Sequence, residues 1–273
     1  MKRIVNIICA IDLLFILFLF ASSIVGNAIL SEILYYLAFI VPTLIGAYFL
    51  KRERPYTEEI KSIYLGISGK NIAHAAPLVM PTVAAVMAMS LLTSWLLGLF
   101  GMSSQSAIEG GILYAIIIYA LLPSLLEEIL FRFIPIKLLI PYSKSAAVVI
   151  SALLFALIHM DLFVIPYALV AGILFALIDL ECESVIPSLL IHFVNNLCSV
   201  LLTKTDAAAG AVIYASMGVF TLVSLAVIFI KRRSYARLFS PLYEREERKS
   251  VGYAPLAVLI ISLFIAFTSL FIQ

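Results

Sequence analysis

"LLPSLLEEILFRFIPIKLLI", residues 121–140, is apolar enough to lie in a membrane, yet it carries Glu127, Glu128 and Arg132 within six positions. A charge at bilayer depth costs at least ~2.5–3.5 kcal/mol on insertion scales. Such groups face a protein interior and mark a function more often than chance allows. The fold and the chemistry both turn on what surrounds these three side chains.

The surroundings are hydrophobic throughout. The 273 residues are 64% hydrophobic and 12% charged, with a mean hydropathy of +1.15. Soluble domains carry about 25% charged residues. The composition predicts an all-α fold, a polytopic membrane helix bundle of eight to nine transmembrane helices. Apolar runs fall at 4–26, 28–50, 74–102, 112–140, 145–160, 167–181, 184–202, 208–230 and 252–272. The runs 145–160 and 167–181 are short, and are read as tilted or supported by neighbouring helices. The N-terminal run is long for a signal peptide and lacks a clear cleavage site, so it is read as the first span. Three regions follow: helices 1–3 in 1–111, a core of helices 4–7 in 112–202, and helices 8–9 in 203–273. Asp12, taken as lying near a helix end, is read as packed against another helix.

With nine spans, sixteen of the eighteen basic residues sort to one side; the others are Arg132 and Lys204. The positive-inside rule then places the N-terminus, 51–71 and 231–250 in the cytoplasm. The basic stretch 231–250 suits contact with anionic headgroups, so membrane lipid is an expected partner. A net charge of +2 argues against nucleic acid. Cys9, Cys182 and Cys198 form no CxxC or metal spacing and are assigned no disulfide.

Three consecutive core segments are interrupted by polar groups: Glu127, Glu128 and Arg132 on the first, His159 on the second, His192 and Asn196 on the third. Counting at ~1.5 Å per residue from the basic ends of the helices puts Glu127, His159, His192 and Asn196 roughly 12–21 Å deep, near the midplane. Scattered structural residues have no reason to share a depth. Glu128 and Arg132, at i and i+4, share a helix face and can pair. Glu127 is rotated about 100° away and left without that cation, which suits it to take a proton from water. His192 and Asn196, again i and i+4, can present two donors to a carbonyl oxygen becoming an anion. Taken singly, each has a structural reading: an ion pair, an interhelical hydrogen bond, or interhelical glue from Asn195 or Asn196. The convergence favours a site, although transporters also place polar clusters at the midplane.

These residues resemble the CPBP family, which holds the CAAX prenyl endopeptidases and the Abi, bacteriocin-processing, intramembrane proteases. Its pattern is EExxxR, then FxxxH, then HxxxN or HxxxB on a later helix. Here these read Glu127-Glu128-Ile-Leu-Phe-Arg132, Phe155-Ala-Leu-Ile-His159 and His192-Phe-Val-Asn195-Asn196, in order on successive segments within 112–202. One departure is Phe133, where many bacterial members have Gly. The resemblance implies a glutamate-dependent endopeptidase of the membrane interior, with no cofactor and no essential metal. Glu127 would activate water and His159 would help hold it. His192 and Asn196 would form the oxyanion site, and Glu128 and Arg132 would organise the first motif. The reading as a whole is of a multi-pass protein, expected in a bacterial cell membrane, acting on a membrane-associated protein or peptide from a cavity opening toward the cytoplasm. A regulatory membrane partner fits the same reading.

Other chemistries are weaker. Gly66-Ile-Ser68-Gly69 echoes the GxSG of rhomboid serine proteases but lies in a charged segment outside any span. There is no HExxH, and no intramembrane GxGD. Glu127, His159 and His192 could in principle ligate zinc. A non-catalytic immunity or regulatory protein, such as a sensor-kinase partner on the same fold, is the alternative outside enzymes.

Overall fold

The computed structural model describes residues 1–53, 69–102, 108–243 and 252–272. Arg54, Lys61, the Gly66–Ser68 part of the rhomboid-like stretch, and Arg245, Arg248 and Lys249 lie outside the described residues.

The chain is all-helical, with no strand among the described residues. It runs through α1 (Lys2–Ile24), α2 (Ala28–Arg52), α3 (Gly69–Gly98), α4 (Ile112–Leu139), α5 (Lys144–Leu157), α6 (Ile165–Cys182), α7 (Ile186–Lys204), α8 (Ala207–Ile230) and α9 (Ala254–Ile272), with one extra turn at Ser240–Tyr243. Seven of these, α1–α4 and α6–α8, are long and apolar enough to cross a membrane among the described residues. Two further apolar stretches, Lys144–Leu157 and Ala254–Thr268, are shorter. A helix therefore stands at each of the nine apolar runs, and among the described residues seven meet both the length and the apolarity of a span, against the eight to nine expected. The case of α5 is physical. Its 14 residues rise about 21 Å, against a hydrocarbon core of about 30 Å. By contrast α6, also expected short, reaches 18 residues. The protein is an integral, multi-pass membrane protein.

The described basic segments gather at one end of the bundle. Arg3 pairs with Glu53 at 2.7 Å, and Lys2 lies against Gly252. Tyr235 donates its hydroxyl to the His74 carbonyl (2.9 Å) and stacks on that ring, while His74 Nε2 lies 3.4 Å from Glu181. These contacts tie the beginnings of α1, α3 and α9, the ends of α2 and α6, and the segment after α8. At the other end Ser31 donates to the Ser22 carbonyl, and Lys204 Nζ donates to the carbonyls of Ile108 and Gly110 at 2.6 and 2.9 Å.

Two features of the packing position the site. The first is the contact of α5 with α6. A methyl group at Gly172 would lie 2.8 Å from the Ala152 Cα, so only glycine admits this approach. Small residues at such crossings let membrane helices close on each other where lipid offers no hydrophobic drive. The second is the winding of α4. It is α-helical at Ile112–Ala115, Leu122–Glu128 and Ile134–Leu139, and π-helical at Ile116–Leu121 and Ile129–Phe133. Each π segment ends just before a proline, Pro123 or Pro135. Proline has no N–H to give the carbonyl four residues back. The α-helical ladder cannot continue there, and single π turns inside helices recur at functional sites.

Asp12 is not near a helix end. It is the eleventh residue of the 23-residue α1, 1% exposed, and packed among Ile8, Leu130, Pro135 and Leu154. Neither carboxyl oxygen has a hydrogen-bond partner among the described residues. The same face of α1 meets α4 through Phe15, whose ring stands edge-on to Phe131 at 5.1 Å.

Candidate active site

Glu127 and Glu128 close the α-helical segment between the two π segments of α4, and Arg132 lies in the second of them. Glu128 and Arg132 are 0% exposed, with Arg132 Nε 3.7 Å from Glu128 Oε2, an ion pair at i, i+4. Pro135 cannot donate to the Phe131 carbonyl. That oxygen instead accepts from Ser151 Oγ (2.7 Å) and from Arg132 Nη1 (3.1 Å). Arg132 Nη1 also lies 3.3 Å from both oxygens of Ser151, so the proline in α4 and a serine in α5 together fix the guanidinium.

Phe155 explains its own place in the motif. The Arg132 guanidinium carbon lies 4.1 Å from the centre of its ring, a cation over a π face. The rings of His159 and His192 stand edge-on to it at 5.2 and 5.6 Å. One aromatic slab thus orders the cation and both imidazoles. His159 follows directly after α5, in a turn where Met160 takes φ 48° and Asp161 Oδ1 accepts from the Phe163 N–H at 2.7 Å. His159 Nδ1 is 2.9 Å from the Phe155 carbonyl. A carbonyl only accepts, so this nitrogen carries the hydrogen and Nε2 of the neutral ring is left as an acceptor.

His192, on α7, is 6% exposed. Its Nδ1 lies 2.9 Å from Glu128 Oε1 and its Nε2 3.9 Å from Glu127 Oε2. The spacing argument paired His192 with Asn196 and did not foresee this bond to Glu128. Asn196 lies one turn further along, with its Oδ1 accepting from Asn195 Nδ2 at 3.3 Å and its own amide N–H groups left for another acceptor. Glu127 Oε2 makes no hydrogen bond among the described residues.

Asp179 was not singled out from the sequence. It is 0% exposed on α6, and its Oδ1 accepts from the Ser188 N–H at 3.1 Å. It therefore caps the first turn of α7 from a neighbouring helix, where a carboxylate meets unsatisfied N–H groups and the positive end of the helix dipole. An acidic residue inside an apolar run was the available signal.

A cavity of about 390 Å³ collects four of the six motif residues: Glu127, His159, His192 and Asn196 line it. Glu128 and Arg132 lie buried behind His192 and do not reach it. The cavity runs away from the end of the bundle where Arg3 meets Glu53. It extends to Leu91, Thr203 and Tyr214, all exposed, at the end of the bundle where Lys204 holds Ile108. The α5–α6 turn stops at the depth of His159, and the space beyond it is not filled by either helix. Among the described residues no three His, Cys, Asp or Glu side chains are arranged to hold a metal ion. All three cysteines are free thiols.

Compared with known proteins, residues 109–198 match the family model of the Rce1-like type II CAAX prenyl endopeptidases. No curated protein and no solved structure matches the chain. The matched segment runs from just before α4 into α7 and contains all six motif residues. Over residues 109–198, about a third of the chain, the protein is similar to the Rce1-like type II CAAX prenyl endopeptidases.

Proposed function

We propose that the protein is an intramembrane, metal-independent glutamate peptidase that hydrolyses a peptide bond in a membrane-associated protein or peptide. The observation that carries this reading is the position of His192. It is held through Nδ1 by the buried Glu128 and turns Nε2 toward Glu127 at the head of the cavity.

The chemistry follows from which atoms are committed. Glu127 Oε2 takes a proton from a water molecule whose other hydrogen is held by His159 Nε2. The water oxygen bonds to the peptide carbonyl carbon, and the carbonyl oxygen becomes an anion. Asn196 Nδ2 donates to it. His192 Nε2, the ring nitrogen not engaged by Glu128, faces it from the other side. Preorganised donors of this kind supply on the order of 3–4 kcal/mol each to the transition state. The protonated Glu127 then gives its proton to the leaving nitrogen as the C–N bond breaks. No covalent intermediate forms. Glu128, Arg132, Phe155 and Ser151 touch no reacting atom and act by holding His192 in place.

The test is a comparison of new protein termini in membranes carrying wild-type protein or Glu127→Gln. Termini that appear only with the wild type support the reading. Identical profiles would favour a non-catalytic immunity or regulatory protein on the same fold.

A further inference from the structure

We propose that Asp179 is a positioning residue for the reaction: from α6 it fixes the register of α7, and with it the reach of His192 to the two glutamates. The proposal rests on the peptidase reading for its effect on turnover, and it goes outside the six motif residues.

Helices α6 and α7 run antiparallel, joined by residues 183–185. Asp179 holds both sides of that connection. Its backbone carbonyl accepts from the N–H groups of Glu183 and Ser184, the latter at 3.1 Å. Its Oδ1 accepts from the Ser188 N–H, also at 3.1 Å. The first N–H groups of a helix have no partner inside the helix. On α7 they can be followed one by one. The Ile186 N–H donates to Ser184 Oγ at 3.2 Å, Pro187 has none, and the Ser188 N–H goes to Asp179. The N-cap position of α7 is Val185, whose side chain has no acceptor to offer. The cap therefore comes from α6, and it ties the two helices together.

A second contact turns the cap into a register. On α7, His192 stands one turn after Ser188; on α6, Phe175 stands one turn before Asp179. The Phe175 ring lies 5.6 Å from the His192 ring while Asp179 holds Ser188. Two contacts one turn apart fix α7 along its axis and in rotation. The tolerance is small. A slip of one residue would move His192 by ~1.5 Å and turn it by ~100°, taking Nδ1 away from Glu128. Asp179 and Ser188 are both 0% exposed, so no water replaces the bond from the membrane side.

The test compares Asp179→Leu, which removes the acceptor, with Asp179→Asn, which keeps it, in the full chain in detergent. The substrate is a peptide spanning a cleavage site found by the terminus comparison. Asp179→Leu should lower kcat by about 10²-fold, the cost of misplacing a catalytic group by ~1 Å, with KM unchanged. Asp179→Asn should restore most of the lost turnover. A second readout needs no cleavage. The chain has three histidines, so isotopic labelling of histidine nitrogens gives three ring signatures by magnetic resonance. Asp179→Leu should shift that of His192 alone, assigned through His192→Gln, and Asp179→Asn should return it. The proposal is overturned if Asp179→Leu keeps kcat and the His192 signal, if it raises KM instead of lowering kcat, or if Asp179→Asn is folded but inert. It is overturned too if Asp179→Leu and Asp179→Ala both fail to fold, because the residue then serves the fold and not the site. Without any Glu127-dependent cleavage the peptidase reading falls, and the His192 signal alone decides whether Asp179 holds α7.

Discussion

His192 stands between two carboxylates that are consecutive in sequence, 2.9 Å from Glu128 Oε1 through Nδ1 and 3.9 Å from Glu127 Oε2 through Nε2. Adjacent residues on a helix diverge by about 100°. One imidazole can therefore face both only from a helix packed across them, as α7 is against α4. The two glutamates differ in consequence: Glu127 faces the cavity and Glu128 is sealed between His192 and Arg132.

Replacing them should separate two effects. Glu127→Gln keeps the volume but cannot accept a proton. Cleavage should be abolished, with thermal unfolding in detergent little changed. Glu128→Gln strands a buried guanidinium and releases His192, and breaking buried pairs costs about 3–5 kcal/mol. The double change Glu128→Gln with Arg132→Gln should recover much of that stability without restoring activity. Near-normal cleavage by Glu127→Gln, beside an inert but stably folded Glu128→Gln, would falsify this division.

Cleavage should survive strong chelation. The cavity residues have committed partners of other kinds, with His159 Nδ1 on the Phe155 carbonyl and His192 Nδ1 on Glu128. Turnover measured with and without chelator, then with added zinc, checks this. Loss on chelation and recovery with zinc would place Glu127, His159 and His192 around a metal instead.

Gly172→Val should damage the site from a distance. Its side chain would meet the Ala152 backbone at 2.8 Å, so α5 and α6 must part. Overpacking of this kind costs typically ~1–3 kcal/mol. His159 lies in the turn joining those helices, so activity should fall further than stability. Equal activity per folded molecule would show that the turn holds its place without the close approach.

Asp12→Leu should leave the protein as stable or make it more so. The carboxyl is buried with no hydrogen-bond partner among the described residues, and leaving a buried polar group unsatisfied costs roughly 1–3 kcal/mol. Unfolding temperature in detergent reads the sign. A clear loss of stability or of cleavage would mean that Asp12 has a partner in the membrane and a role of its own.

The legible part of the sequence was whatever hydrophobicity and spacing record. Nine apolar runs became nine helices, and the i, i+4 spacing of Glu128 and Arg132 became an ion pair. What spacing cannot record is rotation between helices. Nothing in "LLIHFVNNLCSV" says that His192 turns one nitrogen to Glu128, because that depends on how α7 lies across α4. Nor could a run of apolar letters from 145 to 160 show that the helix ends at Leu157, since the residues of the following turn are as greasy as those before it. Asp179 carried a signal, a buried acid in an apolar run, but its partner is a backbone N–H, which no sequence pattern displays. The cavity itself was out of reach for the same reason: its walls come from α3, α4, α7 and α8, and its floor from side chains far apart in the chain.

The π segments of α4 make residue number matter as much as residue identity. Residues Ile116–Leu121 lie upstream of Glu127, and Ile129–Phe133 separate Glu128 from the last turns of the helix. A π turn accommodates one residue more than the α-helical turn it replaces. Deleting one position from Ile116–Leu121 would let that stretch relax to α-helix and swing everything before it by about 100° relative to Glu127. Either the carboxylates would leave His192, or Tyr119 and the start of α4 would leave the cavity wall. Homologous helices that differ by a single residue here would align well letter by letter and still present a different face to the substrate.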